Sequence, residues 1–566
     1  MSQWMDRDTA TFTHKGGEGA SWLGQAPFTD TRHVFVNIGD GTYTHSASLA
    51  IRAAVIAGVN VTYKLLYNDA VAMTGGQPVE GQASVAMITH QMHGEGVQRI
   101  AVVTDDVTRY ADRSALAAGV TVSDRAELDA VQRELRELPG VSLFIYAQTC
   151  ASEKRRRRKR GRMAEPGRRV VINELVCEGC GDCSTQSNCL AVSPLETGFG
   201  RKRRIDQSTC NKDFSCLNGL CPSFVTVEGG ELRVAQAASI DNVLLPEPQR
   251  PPALSHHGSY NILVTGVGGT GVVTIGNILG MAAHLEGRHL SVLDQTGLAQ
   301  KYGAVRSHIQ IADDAARLRG TRITDGGADL VLGADLVTAA SRDGMRRLAP
   351  DRSHVLVDTD AAVVSAFTRD GDLDFGSGTM LRGIADTIGR DRVHGLAANA
   401  LATRLLGDAI GANLMLVGHA YQCGFMPMSA TALERAIAIN AVKVEFNIRA
   451  FHLGRLLAHD PARSNAIGTD ALSPALEEMP LAQLIARRAA FLGEYQNAAY
   501  GARYRALLGK VASAERACIP SAQELTRSVA QVYFQLLAYK DEYEVARLYT
   551  ESGLLDKLRA QCVATV

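Results

Sequence analysis

Residues 33–46, HVFVNIGDGTYTHS, form a short apolar strand that breaks at Gly39-Asp40-Gly41 and leads into a helical stretch over 46–58. The pattern returns downstream, with VTYKLLY at 61–67, a helical stretch over 82–96, RIAVVT at 99–104 and VSLFIYAQT at 141–149. Short apolar runs alternating with helices predict a parallel α/β layer, because parallel neighbours need a long crossover. In such sheets ligands bind beyond the carboxyl ends of the strands. Gly-Asp-Gly stands at one such end and Asn68 at the next. The Asp40 carboxylate, the Asn68 amide oxygen and a main-chain carbonyl near Ala70 are hard oxygen donors of the kind that suit magnesium. Gly39 and Gly41 would let the backbone approach a diphosphate closely. Gly-Asp-Gly alone is also a common turn, so the second strand end is what gives the pair its weight.

The 566 residues exceed what one core can organise, and ordinary domain sizes predict roughly three to five domains. Lys plus Arg and Asp plus Glu both number 59, so no global charge draws the chain to nucleic acid or to anionic lipid. No apolar run approaches the ~20 residues of a membrane span, and MSQWMDRDTATFTHKGG lacks the apolar core of a signal peptide. A cytoplasmic protein without nucleic-acid or membrane partners is expected. The like-charge run EKRRRRKRGRMAEPGRR at 153–169 ends in Pro166-Gly167 and reads as a solvated linker. A nucleic-acid signal is its rival, set against a neutral surrounding chain.

Of 11 cysteines, seven fall between Cys177 and Cys221. Cys177-x-x-Cys180-x-x-Cys183 lets three thiolates of one turning loop reach one iron–sulfur cluster. A zinc ribbon would instead use two paired sets. Cys189 follows, then Cys210-Asn-Lys-Asp213-Phe-Ser-Cys216, then Cys221-Pro222. By the ligand exchange of bacterial ferredoxins, one four-iron cluster takes Cys177, Cys180, Cys183 and Cys221. The other takes Cys189, Cys210 and Cys216, with Asp213 or no protein group as the fourth ligand, in a four-iron or three-iron form. The plain alternative is that Asp213 is a loop carboxylate and the second cluster is missing.

A Pro-rich linker precedes a second α/β unit, in which strand YNILVTG at 260–266 runs into Gly266-Val-Gly268-Gly269-Thr-Gly271 and a helix over 272–285. Asp294 ends the next strand, HLSVLD. Pattern alone reads as a dinucleotide site with Asp294 on a ribose hydroxyl. From about 467 the chain is poor in glycine and rich in Glu, Ala, Leu and Arg, which predicts helices.

The segments GDGTYTHS, YNDAVAMTGGQPVEG and CEGCGDC…SNCL…CNKDFSCLNGLCP resemble the indolepyruvate type of 2-oxoacid:ferredoxin oxidoreductase, as do YQNAAYGARY and YKDEYEVARLY in the tail. The resemblance spans nearly the whole chain. It implies thiamine diphosphate held by the 39–77 region with Mg²⁺ on Asp40 and Asn68, a pocket lined by Thr74, Gly75 and Gln77, and His45 near the reacting centre. It implies oxidative decarboxylation of an aryl 2-oxo acid, with electrons passed through the clusters to ferredoxin and the acyl group to coenzyme A. The 260–450 region resembles the family's gamma domain, with a structural or coenzyme A-related role in place of NAD.

The expected architecture is multidomain α/β. It comprises a thiamine diphosphate-binding domain (1–150), a basic linker (151–170), a ferredoxin-like insert (171–232), a linker (233–258), a gamma-type domain (259–450) and a helical region (451–566). Family members also carry a pyrimidine-binding domain and further cysteines ahead of this segment. A partner chain supplying them, within a homo- or hetero-oligomer, is therefore expected. Cys150 would then complete a cluster beside the cofactor, or stand as a free buried thiol. A non-catalytic electron-transfer module is the alternative function.

Overall fold

Alternating strands and helices build two units, described in turn from a computed structural model: Met1–Glu165 and Pro166–Val566. The structure describes residues 13–70, 83–229, 258–296, 303–318, 320–360, 363–461 and 479–563, with short pieces at 9, 11, 81, 231–232 and 245–248.

In the first unit five parallel strands, β1 (Val34–Gly39), β2 (Val61–Tyr67), β3 (Arg99–Thr104), β4 (Thr121–Asp124) and β5 (Val141–Ala147), form one sheet in the order β1-β2-β5-β3-β4. The central strands are apolar on both faces, as helices covering both sides require. Ile38, Leu65, Val102, Leu143 and Ile145 are buried with Ile51, Ile88 and Met92 from the helices Ser48–Ala57 and Val85–Gly94. The edge strand β4 was not foreseen, because its sequence TVSD is short and polar. The parallel register brings the carboxyl ends of β1, β2 and β5 to one edge, where Gly39-Asp40, Asn68 and Cys150 follow.

The basic run departs from the expected solvated linker. Residues Ala151–Lys159 form a helix directly after Cys150, whose carbonyl accepts from the Lys154 amide at 2.8 Å. The like charges are tolerated because carboxylates meet them. Lys154 pairs with Asp105 at 2.5 Å, and Arg157 pairs with Asp69 at 2.6 Å and with buried Glu153 at 3.0 Å.

In the second unit the cysteine-rich segment carries two antiparallel strand pairs, Arg168–Ile172 with Phe224–Glu228 and Val192–Thr197 with Gly200–Ile205. A mixed six-stranded sheet follows, and its first strand is Tyr260–Val267. Against the dinucleotide pattern, Ala304–Ala312 lies between Tyr260–Val267 and His289–Thr296, antiparallel to both. The helices Ala412–Gln422 and Val444–His459 cover this domain, and the expected boundary at 450 falls inside the second. The tail is helical, with Leu481–Tyr495, Ala498–Cys518, Glu524–Leu537, Glu542–Thr550 and Leu554–Gln561. Among the described residues no helix is long and apolar enough to cross a membrane.

The two covering helices touch backbone to backbone. A Cβ at Gly418 would fall on the Phe451 carbonyl, and one at Gly454 on the Met415 carbonyl. Overpacking a closed contact costs about 1–3 kcal/mol, occasionally more. Gly454→Ala should therefore lower the urea midpoint of the second unit, whereas Gly493→Ala, where a Cβ meets nothing, should leave it in place.

Candidate functional site

At the edge of the first sheet Asp40 is 4% exposed, and its carboxylate gathers the ends of two strands. Oδ1 accepts from the Gly41 amide at 2.8 Å, and Oδ2 accepts from the Asn68 and Asp69 amides at 2.9 and 2.8 Å. Burial pushes the Asp40 carboxyl above its ordinary range, and the three amides pull against that shift. Asp69 adopts a left-handed backbone with φ 53°, which turns the Asn68–Asp69 amides toward Asp40.

Asn68 Oδ1 is buried, with no hydrogen-bond partner among the described residues. A partnerless amide oxygen beside a buried carboxylate is a pair of hard oxygen donors of the kind that suits a divalent cation. Ala70 is buried at the same turn. A Cβ on Gly41 would meet nothing within 4 Å and one on Gly39 only the Thr42 hydroxyl oxygen at 4.0 Å, so both glycines face open space. These residues fit a magnesium-bound diphosphate by their donors and by their cradle. Thr74, Gly75 and Gln77 lie outside the described residues.

His45 is exposed, in a π-turn over Tyr43–Ala47, with Nδ1 2.8 Å from the Ser46 hydroxyl. Such turns often mark functional positions. This one is anchored by the Tyr43 hydroxyl, which donates to Gln91 at 2.8 Å, and by the Thr44 hydroxyl, which donates to the Asp40 carbonyl at 3.0 Å. Two residues escaped sequence reasoning. Arg157 grips the Asp69 carboxylate and Glu153 holds Arg157, so the basic helix buttresses the Asn68–Asp69 turn. Only the tertiary fold brings position 157 to position 69.

The cysteines divide into two neighbourhoods. Burial, with the Cys177 and Cys180 thiols close by and Arg203 opposing, pushes the Cys183 thiol up to about 11. Burial, then Cys189, Cys210 and Asp213, pushes Cys216 up to about 12. Thiols gathered in this way would repel one another once ionised, a repulsion that a cationic iron core would offset. Asp213 is in the second neighbourhood, its Oδ1 accepting from the Ser215 hydroxyl at 3.1 Å. Cys221 is exposed, with Sγ 3.0 Å from the Ser223 hydroxyl. Among the described residues no three Cys, His, Asp or Glu side chains converge as a single metal ion would require. A cluster instead spreads its ligands over separate irons. Cys150 is buried at the amino end of the basic helix.

The glycine loop of the second sheet is closed by its own chain. The Gly268 amide donates to the Gly303 carbonyl at 2.7 Å, and Asn413 donates to the Thr270 carbonyl. Asp294 stands two strands from Tyr260–Val267, roughly 9–10 Å at ordinary strand spacing. Neither feature suits a nicotinamide dinucleotide, which needs the free loop amides and a carboxylate on the adjacent strand.

Residues 261–457 match the family model of pyruvate ferredoxin/flavodoxin oxidoreductase, and 481–565 match a family of unknown function. The chain is 29% identical over 198 residues to indolepyruvate oxidoreductase subunit IorB of Pyrococcus horikoshii, covering 34% of this chain and 94% of that one. It is 29% identical over 201 residues to subunit IorA of Thermococcus kodakarensis, covering 35% of this chain and 29% of that one. Among solved structures, it is similar to pyruvate oxidoreductase subunit PORC of Thermotoga maritima at 19% identity and a TM-score of 0.27, over 35% of this chain and 96% of that one. Residues 261–457 are thus of the pyruvate ferredoxin/flavodoxin oxidoreductase type, the domain of 2-oxoacid:ferredoxin oxidoreductases. Among these, the relatives that the chain matches are of the indolepyruvate type.

Asp40 serves the fold as well as the site. Asp40→Ala strands three amides, each worth about 1–3 kcal/mol if left unsatisfied in the interior, so urea unfolding of the first unit should shift to clearly lower denaturant. Arg157→Met, at a partly exposed ion pair, should move it by less than about 1 kcal/mol.

Proposed function

We propose that this chain is a component of an indolepyruvate-type 2-oxoacid:ferredoxin oxidoreductase, acting in thiamine-dependent oxidative decarboxylation of an aryl 2-oxo acid. Electrons would leave through two iron–sulfur clusters to ferredoxin, and the acyl group would pass to coenzyme A. The orphaned Asn68 oxygen beside the triply amide-bonded Asp40 is the observation that carries this reading. It supports a divalent cation at the sheet edge, where a non-catalytic electron-transfer module would have no use for one.

Thiamine diphosphate supplies an electron sink for decarboxylation when bound. This chain's residues then hold and orient it. Asp40, Asn68 and the main chain near Ala70 take the magnesium, and Gly39 and Gly41 leave room for the diphosphate. Arg157, through Asp69, keeps the Asn68 turn from relaxing. His45 would stand near the reacting centre. The matched relatives are named as subunits, which supports a hetero-oligomer in which a partner chain provides the pyrimidine-binding domain. Likeness to both IorB and IorA also supports the joining of two subunits' parts in one chain.

Asn68 separates site from scaffold, because its side-chain oxygen bonds nothing among the described residues. Asn68→Ala should leave urea stability unchanged and weaken magnesium-dependent thiamine diphosphate binding by at least roughly tenfold. Calorimetry on the chain, with its partner if the chain alone does not bind, reads this directly. Equal affinity in mutant and wild type would sink the magnesium assignment.

Anaerobically purified protein should carry roughly seven or eight irons with matching sulfide. Asp213→Cys should convert any three-iron EPR signal to a four-iron one. Stoichiometric zinc without sulfide would overturn the cluster reading.

A further inference from the structure

Two cations are buried against the first cysteine loop. Arg203 is 1% exposed and Lys202 is 6% exposed, both on the strand Gly200–Ile205. Among the described residues neither is ion-paired with a carboxylate. The Arg203 guanidinium donates to the carbonyls of Lys202 at 3.2 Å and Gly371 at 2.9 Å, and lies over the Phe367 ring at 4.8 Å. Among the described residues its buried Nε has no partner. Glu178, which also acts on Lys202, is itself paired with Lys540 at 2.6 Å.

Burying an unpaired charge costs several kcal/mol even after relaxation, and buried charges in native proteins are paired. The placement of these two identifies what pairs them. The strand that bears them runs against Cys177–Cys183. A Cβ on Gly179 would fall on the Arg201 carbonyl, and one on Gly181 would stand 3.4 Å from the Arg203 guanidinium. Both glycines have left-handed backbones, with φ 74° and 86°. The guanidinium is thus held within van der Waals reach of the loop between Cys180 and Cys183, and it acts on the Cys183 thiol. The second neighbourhood has the opposite environment, with Asp206 and Asp213 acting on Cys210.

We propose that Arg203, with Lys202, is the buried counter-charge of the cluster on Cys177, Cys180 and Cys183 and raises its reduction potential. The proposal rests on the cluster reading above. A four-iron cluster with four thiolates is doubly negative when oxidised and triply negative after taking up one electron from a low-potential donor. A fixed neighbouring cation therefore stabilises the reduced form more than the oxidised form. Net charge near the sulfurs is one of the protein's established controls on such potentials.

The test is an EPR-monitored redox titration of the whole chain against dithionite, with iron and sulfide counted in each sample. Arg203→Gln keeps a donor for the Gly371 carbonyl but loses the charge. It should shift the one-electron equilibrium of this cluster toward the oxidised form by on the order of tenfold, about 59 mV, and leave the second cluster's potential in place. Lys202→Met should move it the same way, and Arg203→Lys should restore it to within about threefold of wild type, roughly half that interval. If Arg203→Gln and Lys202→Met lose the cluster while Arg203→Lys keeps it, charge is again the requirement. Unchanged potentials in Arg203→Gln and Lys202→Met with iron and sulfide intact overturn the proposal, as does loss of the cluster from all three variants. A wild-type chain without iron and sulfide would instead refute the cluster reading itself.

Discussion

The second unit is organised by one close contact, the strand Gly200–Ile205 lying flush against the loop Cys177–Cys183. The contact exists because Gly179 and Gly181 present no side chains to it. From that strand the packing spreads in both directions. Arg201 donates to the Leu373 carbonyl at 2.9 Å and Arg203 to that of Gly371, which fastens the 368–373 segment of the six-stranded domain over the loop. Thr185 donates to the Thr368 carbonyl at 3.3 Å from the loop's own side. At the adjoining turn Phe199 stacks on Phe534 at 5.6 Å and meets Phe491 at 5.2 Å in a tilted contact, which brings in the helical tail. A larger residue at 179 would meet the Arg201 carbonyl, push the strand off and loosen all three regions together.

The first unit shows the same economy on a smaller scale. One carboxylate joins two strand ends through main-chain amides, and one basic helix steadies the joint. The amides fix where the carboxylate points, so a cation would meet a site already shaped for it, at little further cost in order.

Much of this was legible from one sequence. The strands at 33–38, 61–67 and 99–104 show themselves by apolar runs, and Asp40 and Asn68 by their places at strand ends. What stayed hidden depends on contacts between distant positions. Nothing local marks Arg157 as the partner of Asp69, and a run of like charges reads as solvated until its carboxylates are known to face it. Lys202 and Arg203 sit in an RKRR tetrad at 201–204 that looks like an exposed basic strand, yet two of the four are buried. The dinucleotide pattern misled for a related reason. Strand, glycine loop and helix are local, whereas the insertion of Ala304–Ala312 beside Tyr260–Val267 is a matter of sheet order.

The tail's grip on the cysteine-rich segment bears on the order of events during synthesis. Asn173 donates to the Leu548 carbonyl across 375 residues, and Lys540 donates to the Val176 carbonyl at the threshold of the cysteine loop. A ribosome delivers the thiols long before it delivers the helices that clasp them, since domains emerge amino end first. Through that interval the loop stands without the helices that later clasp it. Closure by the last helices then comes as a late, long-range step of the kind that folds slowly. The distance along the chain between cysteine loop and clasp thus leaves the thiols open to solvent until the last helices arrive.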